Sequence, residues 1–442
     1  MTKSYTILNY GCQMNESDSE HYAGQLSDLG YHYTEDYHHA DVILINTCCV
    51  RESAEKKILG KIGEMKQIKR EDPSKVLCVT GCMAQKDGED FLKKYPQVDL
   101  LIGTAHVNNF SAILQDYLHQ NQRKAGMYND LTVMPREFEG HFVRKSSYAA
   151  WVPIMYGCNN FCTYCIVPYV RGRERSRSAE AICEEIRKAV ELGYREFTLL
   201  GQNVNSYGKD RGEKDAFAAL LRQVDAIPGV ERVRYMTSHP RDMSEELIRT
   251  VAESKHVCKH FHIPVQSGST RIMQAMNRGY TRETYLQLVD TIRRYVPEAV
   301  LTTDIIVGFP GETEEDFQET LSLFEEVSYD AAYTFIYSKR SGTPAAAMEE
   351  QIPEAVKKDR LNRLMELQNR HSLKHNQKLV GRTLPVMVEG LSHNNKKMWS
   401  GRTDGNKLVL WPVGERIFNP GDIVPVAIET AQTWLLKGRA AL

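Results

Sequence analysis

Residues 151–165 read Trp151-Val-Pro-Ile-Met-Tyr156-Gly-Cys158-Asn-Asn-Phe-Cys162-Thr-Tyr-Cys165. An apolar run, Trp151–Tyr156, leads directly into three cysteines spaced C-x-x-x-C-x-x-C. A [4Fe–4S] cube normally takes four cysteines. No fourth follows nearby, and the next, Cys183, sits in a helical pattern. Three thiolates hold three irons and leave the fourth open to another ligand. The alternatives are a zinc knuckle and a disulfide pair. Zinc wants four ligands in two pairs, and only one such set is present here.

The spacing resembles the radical S-adenosylmethionine (SAM) superfamily, in which the open iron chelates the amino and carboxylate groups of SAM. Tyr164 strengthens the resemblance, because the superfamily favours an aromatic just before the third cysteine.

Outward from this loop, residues from about 145 to 350 carry six strand-plus-helix units, in a core of residues 144–378 that ends in a charge-rich connector helix from Pro353 to about Gln377. The strand candidates are Trp151–Tyr156, Glu196–Leu200, Arg232–Thr237, His260–Val265, Leu301–Val307 and Ala331–Tyr337, with helical stretches at Ser178–Leu192, Ser244–Glu253, Arg282–Tyr295 and Glu314–Val327. Six βα units predict a partial (β/α)6 barrel with reactive groups at the C-terminal strand ends. Polar motifs stand there: Gly201-Gln202-Asn203, Ser238-His239-Pro240, Gln266-Ser267-Gly268 and Gly308-Phe309-Pro310-Gly311. The superfamily resemblance puts contacts to the SAM amino group at Gly201, Gln202 and Asn203. Tyr164, Ser238, Gln266 and the in-strand Asp304 are further SAM candidates. His260 and His262 alternate with apolar residues, as core histidines do. Arg171, Arg173, Arg175 and Arg177 alternate too. On an extended segment they would grip a phosphate backbone or the SAM carboxylate, or form a solvated charged edge.

Residues 1–130 alternate apolar runs with helical patterns, which predicts a parallel α/β sheet. Tyr5–Asn9, Val42–Asn46 and Val76–Thr80 end just before Cys12, Cys48 and Cys82. One helix starts near Ser17 and Asp18 and stops at Gly30, and another spans about Ser53 to Lys69. Open α/β sheets bind ligands at the C-terminal strand edge, so these three cysteines converge as a second three-thiolate set. Cys49 adjoins Cys48, and either can supply the middle ligand. Cys78, Cys183 and Cys258 read as core.

Residues 379–442 change texture, with five short β-like runs: Val386–Val388, Trp399–Gly401, Lys407–Leu410, Asp422–Ile428 and Trp434–Gly438. They predict a small antiparallel, OB-like barrel. The module has eight Lys/Arg against five Asp/Glu, net +3, and three of the four tryptophans: Trp399, Trp411 and Trp434. Basic groups with exposed aromatics suit RNA. Arg171, Arg173, Lys396, Lys397 and Arg402 are the candidate RNA contacts. If the tryptophans are core instead, the aromatic part of that reading falls.

The 442 residues are too many for one ordinary core. With 42% hydrophobic and 26% charged residues and net charge −1, the whole chain shows no basic excess, so any nucleic-acid surface is local. No run approaches the roughly 18 apolar residues of a membrane helix, and no signal-peptide pattern opens the chain. Ten cysteines without a secretory signal argue for metal ligation in the reducing cytoplasm.

The segments Asn9-Tyr10-Gly11-Cys12-Gln13-Met14-Asn15, Asn46-Thr47-Cys48 and Val79-Thr80-Gly81-Cys82-Met83-Ala84-Gln85 precede the radical-SAM core and a TRAM-like module. Together they resemble the radical-SAM methylthiotransferase family over essentially the whole chain. Within it, Gly-Cys-Gln-Met-Asn is similar to the branch acting on N6-isopentenyladenosine of tRNA. The sister branches act on threonylcarbamoyladenosine or on a ribosomal protein. Cys49 stands where the family leads us to expect serine. The resemblance implies an α/β multidomain enzyme with two [4Fe–4S] clusters, one on Cys158, Cys162 and Cys165 and one on Cys12, Cys48 and Cys82. It implies SAM as cofactor, the tRNA anticodon stem-loop as partner, and a flavodoxin or ferredoxin as electron donor. A two-cluster electron-transfer protein is the remote alternative, against which the barrel-rim motifs argue.

Overall fold

The computed structural model describes residues 3–49, 52–120, 124–126 and 142–441, with the backbone alone at 52–54, 124 and 126. The expected domain limits at 1, 130 and 442 fall outside the described residues. The chain forms two compact units. One comprises residues 1–145, 155–161 and 165–175, the other 146–154, 162–164 and 176–442.

The first unit is a parallel sheet of β1 (Ser4–Tyr10), β2 (His32–Tyr33), β3 (Val42–Thr47), β4 (Val76–Gly81), β5 (Leu100–Ile102) and β6 (Lys124–Gly126), in the order β2-β1-β3-β4-β5-β6. Every residue of β3 and β4 is buried, as parallel strands covered on both faces require. The period of two splits them between two cores. Leu44 and Cys78 pack with Tyr22, Leu26 and Phe110, while Ile43, Ile45, Leu77 and Val79 pack with Ile58 and Ile62. Cys78 is thus a core residue, as expected.

The first helix, α1, spans Gln13–Asp28, a turn earlier than the sequence suggested. Its N-cap is Cys12, whose N–H donates to Asn15 Oδ1 at 3.3 Å. Asn15 outcompetes Ser17 and Asp18 because it lies where a capping side chain reaches the first free N–H. Ser17 and Asp18 are buried inside the helix. The second long helix is Glu52–Glu71, close to the predicted span.

In sequence, the short strands β8 (Met155–Tyr156) and β9 (Arg175–Ser176) bracket the cysteine loop, following β7 (Ala149–Pro153). In the second unit β10 (Glu196–Leu200) pairs in parallel with β7 and with β11 (Arg232–Tyr235). Likewise β13 (Val300–Val307) pairs with β12 (His260–His262) and β14 (Ala331–Ile336). A parallel bridge from Val233 to Val257 joins the two triplets into one arc of six strands. Helices Ala179–Glu191, Glu245–Glu253, Arg282–Tyr295 and Glu314–Val327 stand where the apolar periodicity put them. Cys183 and Cys258 are core. His262 is buried and His260 half-buried, and their Nδ1 and Nε2 meet Thr302 Oγ1 at 3.0 and 2.9 Å.

Five strands close the C-terminal barrel: β15 (Thr383–Leu391), β16 (Met398–Thr403), β17 (Leu408–Pro412), β18 (Ile423–Ala431) and β19 (Leu436–Ala440), in the order β15-β16-β17-β19-β18. Trp399 and Trp411 fill its core against Phe418, because both point inward on paired strands. That corrects their reading as exposed aromatics, whereas Trp434 is 62% exposed. The small barrel is fastened to the arc. Arg232 donates to Arg402 O at 3.0 Å, Arg234 to Thr403 O and Asp404 O at 2.9 Å each, and Lys259 N to Asp404 Oδ2 at 2.9 Å. Among the described residues no helix is long and apolar enough to cross a membrane.

Candidate cysteine sites and the barrel rim

Asn15 Nδ2 donates to Asn46 Oδ1 at 3.0 Å and to Thr47 O at 3.1 Å, locking the start of α1 onto the end of β3. Asn46 Nδ2 answers to Asn15 O at 2.8 Å and Ser19 Oγ at 3.0 Å. Thr47 Oγ1 then bonds Thr80 O and receives Met83 N at 3.2 Å, tying β3 to β4. Cys12, Cys48 and Cys82 are thereby held at three adjoining strand ends. Gly81, at φ +93°, comes so close to the Thr47 backbone that any side chain there would clash.

Cys12 is exposed, whereas Cys48, Cys49 and Cys82 are buried. The hydrogen bond from Cys48 pulls the Cys12 thiol down to about 5, with help from Arg171 and against the desolvation imposed by the packed residues around its sulfur. Cys82 is lowered to about 7, first by Cys49, which shares a hydrogen bond with it, and then by Arg171. Cys49 is pushed up as its partner's donor. The structure therefore brings four thiols together, not three.

Arg171 belongs to this site and not to an RNA surface, which overturns one sequence expectation. It is buried with Nη2 3.0 Å from Asp18 Oδ2, and it hydrogen-bonds the Cys82 thiol. The alternating arginines fail to share a face because residues 167–171 are helical and only 175–176 extended. Arg175 donates to Arg171 O, and Arg177 to Pro153 O and Glu185. Arg173 alone is exposed, stacked over Phe161.

In the first unit Cys158 N–H donates to Gly172 O at 3.1 Å. The preceding Gly157, at φ +75°, passes against Gly172 and Arg173 with no room for a Cβ. After Cys165, Ile166 and Val170 pack with Cys49 and Cys82.

In the second unit Cys162 is buried, and its Sγ accepts Arg278 Nη1 at 3.3 Å. The same nitrogen meets Tyr164 Oη at 3.4 Å, while Arg278 Nε donates to Tyr280 Oη at 3.0 Å and Nη2 to Pro264 O at 2.6 Å. Tyr164 packs with Ile272, Met276 and Phe309. Arg278 was not singled out from the sequence. The signal available was Asn277-Arg278-Gly279, in which Asn277 and Gly279 both take positive φ and form a tight turn presenting the arginine.

The other rim candidates are at strand ends, as expected. Gly201 and Gln202 are half-buried after β10. Asn203 is committed to structure, donating to Asp242 at 2.7 Å and accepting His239 N at 3.1 Å. Ser238 is buried with an unpartnered Oγ. Its neighbour His239, of the same motif, has Nδ1 accepting Arg241 N and Nε2 unpartnered. Burial and then Arg278 push it down to about 2, so it stays neutral. Gln266 is buried at φ +72°, with its backbone bridging Asp304 O and Ile306 N. Asp304 Oδ1 stands 3.5 Å from His262 Nε2, so it faces a histidine as well as the interior. On the small barrel Lys396 and Lys397 are exposed, whereas Arg402 is paired with Glu389 at 3.1 Å.

Among the described residues no three His, Cys, Asp or Glu side chains converge on one point as a single ion requires. A cubane is held differently, each thiolate on its own iron at a separate corner. Softness suits the sulfur sets to iron–sulfur chemistry, and an arginine beside each suits a bound anion.

Residues 152–324 match the Radical SAM superfamily, residues 4–103 the Uncharacterized protein family UPF0004, and residues 377–441 the TRAM domain. A solved radical S-adenosylmethionine methyltransferase, TsrM from Kitasatospora setae, covers 78% of this chain and 74% of its own at a TM-score of 0.58 and 12% identity, a likeness of fold. The tRNA-2-methylthio-N(6)-dimethylallyladenosine synthase of Clostridium tetani is 52% identical over 439 residues, 98% of this chain and 96% of the relative. That of Acetivibrio thermocellus is 49% identical over 438 residues, 99% of this chain and 90% of the relative. With half its residues shared along nearly its whole length, the chain belongs to this family of radical-SAM tRNA-2-methylthio-N(6)-dimethylallyladenosine synthases.

Proposed function

We propose that this chain methylthiolates C2 of N6-isopentenyladenosine next to the tRNA anticodon, using two SAM molecules and two [4Fe–4S] clusters. The observation carrying the reading is the pair of cysteine triplets, each leaving one coordination position open, in a chain half identical to enzymes named for that product. Cys158, Cys162 and Cys165 would hold one cluster, and Cys12, Cys48 and Cys82 the other, with Cys49 beside them. The bound clusters supply one electron to cleave SAM and a seat for the incoming sulfur.

The chain's own residues do the rest. Gly201, Gln202, Ser238 and Gln266 line the arc's C-terminal rim and orient SAM there. Asn203 acts through the His239 loop and Asp242 instead of touching the ligand. The target base leaves the anticodon-loop stack to reach the rim. Trp434, Lys396 and Lys397 offer the RNA a stacking face and two cations. We divide the work among residues 1–130 (sulfur insertion), 144–378 (SAM cleavage) and 379–442 (RNA contact). The electron comes from a flavodoxin or ferredoxin, and the reaction takes place in the cytoplasm with its tRNA. Nucleoside mass spectrometry of tRNA from a deletion strain tests this: the methylthio form disappears and isopentenyladenosine accumulates, both reversed by complementation. Loss of the methylthio group from threonylcarbamoyladenosine, or from a ribosomal protein alone, would move the chain to a sister branch.

A further inference from the structure

Arg278 is a buried cation, only 4% exposed. Among the described residues its hydrogen-bond partners are two tyrosine hydroxyls, one backbone carbonyl and the Cys162 thiol. None of these is a carboxylate. Two other buried arginines do have one: Arg171 pairs with Asp18 at 3.0 Å and Arg177 with Glu185 at 2.9 Å. A desolvated charge without a counter-ion is costly, so proteins pair or neutralise it. A guanidinium does not lose its proton. The one sulfur partner of Arg278, Cys162 at 3.3 Å, is also the group that carries negative charge when it holds iron.

The fork is also held on several sides. Pro264 O and Tyr280 Oη fix two of its edges and leave Nη1 aimed at the sulfur. The turn that presents it puts Asn277 at φ +58° and Gly279 at φ +71°, a left-handed backbone that asparagine and glycine adopt most readily.

We propose that Arg278 is the built-in counter-charge of the Cys162 thiolate and sets the reduction potential of the cluster that this cysteine holds; the inference rests on the function proposed above. Reduction adds one electron, from the low-potential flavoprotein or ferredoxin, and so one negative charge to the cluster. A fixed cation with an N–H···S bond stabilises the reduced form and raises the potential, since hydrogen bonds to sulfur and local charge are what tune such clusters. Arg278 is a positioning residue: it touches a ligand sulfur and no substrate.

The test uses the full chain carrying Cys12→Ala, Cys48→Ala and Cys82→Ala, so that one cluster remains, reconstituted anaerobically and titrated by EPR. Arg278→Gln should keep its iron and titrate at a lower potential. Arg278→Lys, which retains the charge without the fork, should fall between. Tyr164→Phe, which removes a neutral neighbour of the same nitrogen, should match the parent. Iron lost from Arg278→Gln but kept by Arg278→Lys at an intermediate potential also supports the proposal. Iron lost from both, or kept by both at the parent potential, overturns it and leaves Arg278 a packing role. A parent that takes up no iron would instead sink the functional reading.

Discussion

The two cysteine sets are built by opposite routes. Cys12, Cys48 and Cys82 end three different strands and meet only because Asn15, Asn46 and Thr47 lock those ends together. Cys158, Cys162 and Cys165 lie within eight residues of one loop. Charge separates them further. Arg171, beside the first set, comes with Asp18, whereas Arg278, at Cys162, has no carboxylate partner among the described residues. At the first site Arg171 serves a carboxylate as well as the thiols, and at the second Arg278 faces a thiol without one. Each cation therefore tells which negative charge its site was built around.

The largest effect expected is separable loss of the two functions. Replacing Cys158, Cys162 and Cys165 together with Ala should abolish SAM cleavage and leave about half the parent's iron. The same replacement at Cys12, Cys48 and Cys82 should keep SAM cleavage and abolish sulfur insertion. Iron analysis and 5′-deoxyadenosine release read both outcomes. Methylthiolated product at normal levels from the second variant would break the division of labour. If Cys48→Ala keeps activity that Cys49→Ala loses, the middle ligand is Cys49.

Next comes the cost of breaking each arginine's surroundings. Arg171→Leu strands a buried Asp18 carboxylate and should destabilise by about 3–5 kcal/mol, as removing one partner of a buried pair does. Adding Asp18→Leu should recover most of it. Arg278→Leu strands no carboxylate and should cost less. Urea unfolding of the apo variants measures the three, and equal losses from the two single variants would erase the proposed charge difference.

The sequence was most legible where chemistry is local. The C-x-x-x-C-x-x-C loop, the six βα units and the five-stranded barrel all stand in their expected order, since each rests on a spacing or a period of two or 3.6. The three strand-end cysteines were legible through topology, because parallel strands put successive C-termini on one edge. What escaped is what burial decides. Trp399 and Trp411 turn inward, and Arg171 turns to Asp18 instead of to RNA. Arg278 lies more than a hundred residues from the sulfur it touches, in a turn like many others. The start of α1 was missed because Asn15, acting as the capping partner, moved the boundary back to Cys12.

A smaller effect distinguishes the exposed Trp434 from its buried kin. Deleting the whole barrel would strip Arg232 and Arg234 of their carbonyl partners and confuse affinity with folding. Trp434→Ala avoids this. It should weaken tRNA binding by about 1–3 kcal/mol, the worth of one stacked base, without lowering Tm. Lys396→Ala with Lys397→Ala should weaken binding and flatten its salt dependence. Filter binding at several salt concentrations checks both, and unchanged affinity in all variants would assign this face to something other than RNA.

The smallest effect sets a half-buried histidine of the second unit against a buried glutamate of the first. His260 is lowered to about 3, chiefly by burial, then by His262, Arg234 and Lys407. Between about pH 6.5 and 3 the unfolded chain binds a proton there and the native chain does not, so its contribution is lost as pH falls. Glu20 is raised to about 7 by burial, against Arg144 and the Lys145 backbone. Between about pH 4.5 and 7 the native chain holds the proton and the unfolded chain does not, so this contribution is lost as pH rises. The two slopes are opposite in sign and each amounts to about 1 kcal/mol per pH unit. His260→Gln should therefore make the apo protein less sensitive to acid between about pH 6.5 and 5.5. Glu20→Gln should make it relatively more stable near neutral pH than near pH 5. Chemical unfolding across that range reads both, and parallel pH profiles for parent and variants would show that neither group changes its proton on folding.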